Sequence, residues 1–309
     1  MVDPEVSRLC EKLLVQFGTL YIQISVDIYT PRHPLGTIFC LHDFAGSASD
    51  FEQFAGFMAA CQFRVICPDM PGRGQSAFLA DPRSYSARSY TAVLMAVMEK
   101  YRDRRVSLLG KGWGGLMSLI LVNAVRFNLS ELILCDVPLR WGASDPSVGA
   151  AALLAARRFD TRAEAEDYLL MSDEFREIAP SAGRQIVANR FRIVDGSYRA
   201  HFDPMLVDQI ARLGERQLDV ARMFDALTAR LLILSGKTYS GPTHVEVERL
   251  VAEAPNRVYV DDLAFSGLIH LTTTHQLLLI LGFMKARFIP GQGSLAGTKE
   301  GGASSSNGL

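Results

Sequence analysis

Residues 106–115 read Val-Ser-Leu-Leu-Gly-Lys-Gly-Trp-Gly-Gly. An apolar run is followed by a glycine-rich segment, and this leads into a region with helical spacing. Val106–Leu109 is an apolar run, which is typical of a strand that is buried on both faces. The glycines that follow it allow a tight turn. From Gly114 to Phe127 the apolar residues recur with helical spacing. The stretch therefore predicts a strand, a sharp turn and a helix in immediate succession.

The same alternation of strands and helices extends in both directions along the chain. Apolar or alternating runs predict further strands at Tyr21–Tyr29, Thr37–Leu41, Phe63–Cys67, Leu132–Val137, Arg230–Leu234 and Arg257–Val260. Helical spacing occurs at Tyr90–Tyr101, His244–Ala254 and His275–Phe288. Strands that alternate with helices predict an α/β fold, with a mostly parallel central sheet flanked by helices.

Between residues 140 and 229 the strand pattern stops. This stretch is rich in Ala, Arg, Glu and Leu at helical spacing, and we interpret it as an inserted helical lid. The predicted core then has a first part at residues 1–139 and a second part at residues 230–289. The end of the chain, residues 290–309, is rich in Gly and Ser and is predicted to be disordered.

The composition favours an ordinary globular protein. With 49% hydrophobic residues and a formal net charge of −1, the chain has no electrostatic reason to bind nucleic acid or an anionic membrane. Its apolar runs are too short for a membrane span. The five cysteines lack the spacing of a metal site, so we expect mainly buried thiols, a cytoplasmic location, no metal and no cofactor.

Three motifs resemble those of the α/β-hydrolase superfamily, in its lidded branch of esterases, epoxide hydrolases and carbon–carbon bond hydrolases. Leu41–Ser47 is similar to the family's HGxxG oxyanion loop, and Pro68–Ser76 is similar to its PDxxGxGxS turn. Leu109–Gly115 stands at the place of the GxSxGG nucleophile elbow. The resemblance extends from about Leu20 to Phe288 and implies an α/β-hydrolase fold with a helical lid.

The elbow carries Gly112 at the position where the resemblance places the reactive serine. Glycine tolerates the strained backbone of the apex, but it has no group that could form a covalent intermediate. The resemblance also implies an oxyanion hole, which the backbone N–H groups of Phe44 and Trp113 would form. The chain therefore keeps the frame of the site without its nucleophile.

The side chains next to these positions have competing interpretations. His42 is expected to hold loops together by hydrogen bonding. Asp43, which replaces the family's usual glycine, is either a polar group in the pocket or a cap of its loop. Lys111 either points away from the pocket or acts as a base or amine nucleophile. Trp113 either packs in the core or stacks on a ligand.

The other triad positions are degenerate by the same resemblance. The loop after the penultimate predicted strand has no carboxylate, and Ser240 stands about where the family's acid is expected. Ser266 stands near the histidine position, and His270 is either a displaced base or a surface loop residue. Asp136 ends a strand at the carboxyl edge of the sheet, where it is either a substitute acid or a cap of the Val137–Pro138 turn.

These losses predict a non-hydrolytic pseudoenzyme. It would bind a small apolar ligand or, in a regulatory role, a protein partner or a second copy of itself. The alternative is an enzyme with repurposed, nucleophile-independent chemistry, such as a lyase, a cyclase or water-mediated hydrolysis of an ester or lactone. A third interpretation is an ordinary hydrolase whose serine has been replaced by glycine.

Overall fold

The computed structural model describes residues 6–17, 20–125, 129–137, 140–141, 146–175, 178–207, 218–225, 227–236, 257–262 and 268–286. The strands are β1 (Val6–Phe17), β2 (Leu20–Pro31), β3 (Thr37–Leu41), β4 (Arg64–Pro68), β5 (Val106–Lys111), β6 (Glu131–Cys135), β7 (Arg140–Trp141), β8 (Phe191–Val194), β9 (Ser197–Ala200), β10 (Leu218–Asp219), β11 (Arg230–Gly236) and β12 (Arg257–Asp262).

The helices alternate with these strands along the chain. They are α1 (Glu52–Ala60), α2 (Ala87–Lys100), α3 (Trp113–Ala124), α4 (Pro146–Ala156), α5 (Arg162–Leu170), α6 (Pro180–Val187) and α7 (Thr274–Lys285). Short 3-10 turns lie at Ala48–Phe51, Pro82–Ser84 and Ala221–Phe224. No helix in the described ranges has the length and apolar character that crossing a bilayer requires.

The central sheet has eight strands in the order β1-β2-β4-β3-β5-β6-β11-β12. β1 pairs antiparallel with β2, and β2 pairs antiparallel with β4. The remaining neighbours in this sheet are parallel. The predicted α/β architecture with a mostly parallel central sheet is thereby confirmed. Because the parallel strands run in the same direction, the segments that follow β3, β5, β6 and β11 meet at one edge of the sheet.

The two faces of the sheet build two hydrophobic cores. Leu108 of β5 belongs to the core that includes α2 and α3, whereas the adjacent Leu109 belongs to the core that includes α1 and α7. Successive side chains of a strand point to opposite faces, so a strand covered on both sides is continuously apolar. Cys40, Cys67 and Cys135 lie in these interior strands as buried free thiols, as their apolar neighbours predicted.

Two elements of the core are not apparent from the sequence pattern. β1 is an edge strand, and most of its residues between Ser7 and Lys12 are exposed, which hides its periodicity. Helix α1 follows the predicted oxyanion loop and packs below β2 and β4. The helix predicted at His244–Ala254 lies outside the described residues.

The inserted segment between β6 and β11 is not wholly helical, so the expectation of a purely helical insertion is wrong. It contains α4, α5 and α6, but also a hairpin formed by β8 and β9 and a short pairing of β7 with β10. The hairpin turns at Asp195 and Gly196, which both have positive φ. Its strands are only four residues long and largely half-exposed, which is too short for a clear alternation.

Buried polar contacts fasten this inserted segment to the core. Arg190 binds both carboxylate oxygens of Asp50, with Nη2 2.8 Å from Oδ2 and Nε 3.1 Å from Oδ1. Its Nη1 donates to the carbonyl of Ala45 at 2.7 Å. Farther along, the Tyr85 hydroxyl donates to Asp203 Oδ2 at 2.6 Å. The Arg190–Asp50 pair is nearly inaccessible to solvent, with side-chain exposures of 4% and 2%.

We predict that Arg190→Met destabilises the protein by about 3–5 kcal/mol, because it leaves the Asp50 carboxylate buried without its cation. The double variant Arg190→Met/Asp50→Leu should recover much of this loss. Arg83→Met is the control, since Arg83 is 82% exposed and should change stability little. Urea unfolding of the four proteins measures these differences. Equal losses in the single and double variants would contradict the prediction.

Candidate functional site

The strand β5 passes into helix α3 through a single residue, Gly112. Its φ of +46° and ψ of −116° are strained for any residue with a side chain. The turn is also crowded, because a Cβ added to Gly114 would lie 2.2 Å from the carbonyl oxygen of Leu41. The glycine-rich sequence therefore builds a tight strand–turn–helix elbow, with Gly112 at its apex.

The carboxylate of Asp43 lies directly over this apex. An ideal Cβ at Gly112 would stand 2.4 Å from Asp43 Oδ1, 2.5 Å from Cγ and 2.6 Å from Oδ2. Leu41 of β3 and Gly110 of β5 are paired neighbours in the sheet, so the residues that follow them meet at its edge. The Asp43 side chain thus fills the space that a side chain on residue 112 would require.

Asp43 Oδ1 is also the acceptor for both predicted oxyanion-hole donors. The N–H of Phe44 donates to it at 2.7 Å, and the N–H of Trp113 donates to it at 2.8 Å. The second donor lies in the first turn of α3, where the helix dipole favours a negative charge. Asp43 thus caps its own loop through Phe44 and also faces the elbow through Trp113. The two N–H groups are occupied from within the protein.

His42 holds two loops together. Its Nε2 accepts the N–H of Met70 at 3.0 Å, so Nδ1 carries the proton and donates to the carbonyl of Asp43 at 2.7 Å. The residue is fully buried, and desolvation together with the charge of Arg73 lowers the pKa of His42 to about 3. A neutral imidazole that is engaged at both nitrogens orients the Asp43 loop and has no free lone pair.

Trp113 packs under the same loop. Its ring meets Tyr90 edge-on at 4.8 Å, and the guanidinium of the buried Arg73 lies 4.4 Å from its centroid. The cation also contacts the ring of Phe44 at 5.0 Å. These cation–π contacts fix the two residues whose N–H groups bind Asp43.

Asp136 ties together the ends of three chain segments. It follows β6 with a positive φ of 51°, and its Oδ1 accepts the N–H of Gly236 at 2.9 Å. Oδ2 accepts the N–H of Ile269 at 2.5 Å. These bonds reach beyond the Val137–Pro138 turn, whose capping was one of the two interpretations of Asp136, the other being a substitute acid. Burial raises the pKa of Asp136 to about 6, against the hydrogen bonds and the charge of Lys111.

Lys111 and His270 form a buried contact. Lys111 Nζ lies 3.3 Å from His270 Nδ1, while His270 Nε2 donates to the carbonyl of Glu174 at 2.9 Å. Of the two interpretations of His270, the one that made it a surface loop residue is wrong, because its exposure is only 2%. Burial and the charge of Lys111 hold the pKa of His270 well below its ordinary value. Its burial depends on Glu174 of the inserted segment, which sequence reasoning could not place beside it.

Ser240 and Ser266, which the sequence placed near the acid and histidine positions, lie outside the described residues. Within the described ranges, no group of three or more His, Cys, Asp or Glu side chains is arranged to hold a metal ion. The polar groups that the structure brings together around the elbow are therefore Asp43 with its amide donors, Asp136, Lys111 and His270.

Known proteins share this arrangement of elements. A family model described as alpha/beta hydrolase fold matches residues 36–165. An α/β hydrolase from Novosphingobium aromaticivorans superposes with a TM-score of 0.76 at 21% identity, over 90% of this chain and 98% of that one. A thermophilic esterase from Thermogutta terrifontis superposes with a TM-score of 0.64 at 18% identity, over 90% and 98%.

The chain has the α/β-hydrolase fold. Among curated proteins of this kind, it is similar to the 3-hydroxybutyrate-oligomer hydrolase of Cupriavidus necator. The two are 26% identical over 216 residues, which cover 67% of this chain and 73% of the relative. Within this fold, the strand–turn–helix elbow between β5 and α3 has Gly112 at its apex.

We predict that the free energy of unfolding decreases as the pH rises from about 4 to about 6, because Asp136 loses its proton in this range. Its pKa is raised in the folded protein from an ordinary 3.8 to about 6, so the folded state binds the proton more tightly. The stabilisation is therefore complete below pH 4 and is lost as the pH rises through 6, by roughly 2–3 kcal/mol.

Urea unfolding of the wild type and Asp136→Asn across this range measures the effect. Asp136→Asn should be less stable than the wild type, but its free energy of unfolding should change less with pH. Burial also raises the pKa of Asp69 to about 6, but Asp69 is present in both proteins, so the difference isolates Asp136. Parallel pH profiles would show that Asp136 does not titrate in this range.

We predict that Gly112→Ala is destabilising chiefly because its Cβ meets the Asp43 carboxylate. The loss should be smaller by about 1–3 kcal/mol when Asp43→Ala is also present. Denaturant unfolding of both single variants and the double variant gives this coupling energy. Gly282→Ala in α7, where a Cβ meets open space, is the control and should not couple to Asp43. If the losses of the two single variants simply add up in the double variant, a side chain at residue 112 does not contact Asp43, and the prediction is wrong.

Proposed function

We propose that this α/β hydrolase is a non-hydrolytic member of its superfamily, which binds a small apolar molecule at the elbow beneath the inserted segment. The inserted segment would act as a lid over the carboxyl edge of the sheet, where α/β proteins commonly bind ligands.

A single observation carries the proposal: Asp43 Oδ1 holds both amide donors over an apex that has no side chain. Acyl transfer needs a nucleophile at the apex and free donors for the oxyanion that develops. Loss of a serine nucleophile costs on the order of a millionfold in rate. Occupation of the two donors removes the residual stabilisation that the oxyanion hole would otherwise supply.

The histidine near the site supports the same conclusion. Both ring nitrogens of His270 are engaged, by Lys111 and by the carbonyl of Glu174. A general base needs a free lone pair within reach of the proton it abstracts. His270 therefore suits a structural role that connects the elbow strand with the inserted segment.

The alternative of nucleophile-independent chemistry is less well supported. That chemistry would use the Phe44 and Trp113 N–H groups to stabilise an enolate or alkoxide. An internal carboxylate already accepts from both groups, and a second anion in the same place would be repelled. The geometry consequently favours binding over turnover.

The curated relative suggests a class of ligand. It is named a 3-hydroxybutyrate-oligomer hydrolase, and its similarity spans about two thirds of this chain. We therefore propose short oligoesters of hydroxy acids as first candidates, held intact because the apex cannot attack them.

The test is to incubate the purified protein with the linear trimer of 3-hydroxybutyrate and to follow retention and cleavage by mass spectrometry. We expect the trimer to be retained on the protein without release of monomer above the buffer control. Asp43→Ala/Gly112→Ser is the matched variant, which restores both the free donors and a hydroxyl. Release of many equivalents of monomer by the wild type would overturn the proposal.

A further inference from the structure

Two arginines face each other across the β8–β9 hairpin of the inserted segment. Arg192 of β8 is the direct register partner of Arg199 of β9. Opposite residues of an antiparallel pair place their side chains on the same face, and like charges in this arrangement repel each other. Neither side chain has a hydrogen-bond or ion-pair partner among the described residues. The hairpin therefore carries two adjacent positive charges that no described acidic side chain pairs.

The guanidinium ends of this pair are accessible from the solvent. The Nε atom of each arginine is buried and has no partner, but this holds for none of their Nη atoms. Because the Nη atoms also have no partner among the described residues, they are open to solvent. Arg192 Cζ lies 4.2 Å from the centroid of the half-exposed Phe78 ring. A guanidinium that packs against a ring keeps the N–H groups at its edge available for an anion.

His201 adjoins the arginine pair. It follows β9 two residues after Arg199, and its N–H continues the pairing by donating to the carbonyl of Arg190 at 2.8 Å. Residues two apart in a strand lie on the same face. Burial and, to a smaller extent, the charge of Arg192 lower the pKa of His201. An anion bound to Arg192 would offset that charge, so His201 reports on whether the pair is occupied.

We propose that Arg192 and Arg199 bind the phosphate group of a small phosphorylated molecule. A single carboxylate is satisfied by one arginine in this protein, since both oxygens of Asp50 bind Arg190. Two unpaired guanidinium groups require an anion with more acceptor oxygens and more negative charge. A phosphate monoester carries several strong acceptor oxygens and a charge of about −1.5 to −2 at neutral pH. Arginine matches such oxygens with paired N–H donors.

A cavity beside Arg192 has room for the organic part of such a molecule. Its volume is about 230 Å³, and its lining is Arg162, Ala188, Phe191, Arg192, Ile193 and Tyr198. Aromatic and aliphatic side chains make up most of this lining, which suits an apolar group. Inorganic phosphate shares the chemistry of the charged part but would leave this cavity unused. The site therefore favours a phosphate monoester with an apolar substituent.

The experiment titrates the full-length protein with phenyl phosphate, inorganic phosphate and acetate, and measures affinity by calorimetry. The ionic strength is held constant, because salt screens accessible charges. We expect phenyl phosphate to bind more tightly than inorganic phosphate, and acetate to bind on the order of tenfold more weakly than either. The pKa of His201, followed through its imidazole signals, should rise when phosphate saturates the site. Equal affinity for the two phosphate compounds would assign the arginine pair to free phosphate.

Arg192→Gln and Arg199→Gln are the decisive variants, and each should lose on the order of tenfold or more in affinity for phosphate. In phosphate-free buffer, urea unfolding should find Arg199→Gln at least as stable as the wild type, because it removes a like-charge contact. Arg192→Lys keeps the charge but lacks the paired donors, so it should also bind phosphate more weakly. Arg184→Gln, at an exposed position of α6, is the control and should keep the wild-type affinity.

Three results would overturn the proposal: no binding of either phosphate compound, unchanged affinity in both glutamine variants, or an equal affinity for acetate. The site lies on the β8–β9 hairpin, and none of these results concerns retention or cleavage of the hydroxybutyrate trimer. The two proposals therefore fail separately.

Discussion

The carboxylate of Asp43 can reach the N–H groups of Phe44 and Trp113 only because residue 112 has no side chain. A Cβ at that position would overlap all three carboxylate atoms at 2.4–2.6 Å. Conversely, without Asp43 the two amides would point into a space with no acceptor from the protein, which is costly when buried. The missing side chain at residue 112 and the carboxylate at residue 43 therefore depend on each other, because the carboxylate fills the space and accepts from the two amides.

The surrounding polar groups connect the chain segments that meet around the elbow. Asp136 joins the ends of β6 and β11 to Ile269, while His270 connects the elbow strand with the inserted segment. Arg190 attaches that segment to Asp50, immediately after the Asp43 loop. Buried charges of this kind are costly unless they are fully paired, so they restrict the arrangements available to the site.

The sequence predicts the interior of the fold well, because buried parallel strands are continuous apolar runs between turn residues. It fails for β1 and for the β8–β9 hairpin, whose half-exposed residues carry little periodicity. The glycine at position 112 is visible directly in the sequence. Its pairing with Asp43 is not, since the two lie far apart in the chain, although the adjacent ends of β3 and β5 hold the clue. The burial of His270 depends on a tertiary contact that no local pattern records.

The amide proton resonances of Phe44 and Trp113 test the central contact most directly. An N–H that donates to a carboxylate resonates far downfield, so both signals should be downfield in the wild type. In Asp43→Ala both should move upfield together, while amides distant from the elbow keep their positions. If neither signal responds to the loss of Asp43, the carboxylate does not accept from these two N–H groups, and the central contact described here does not exist.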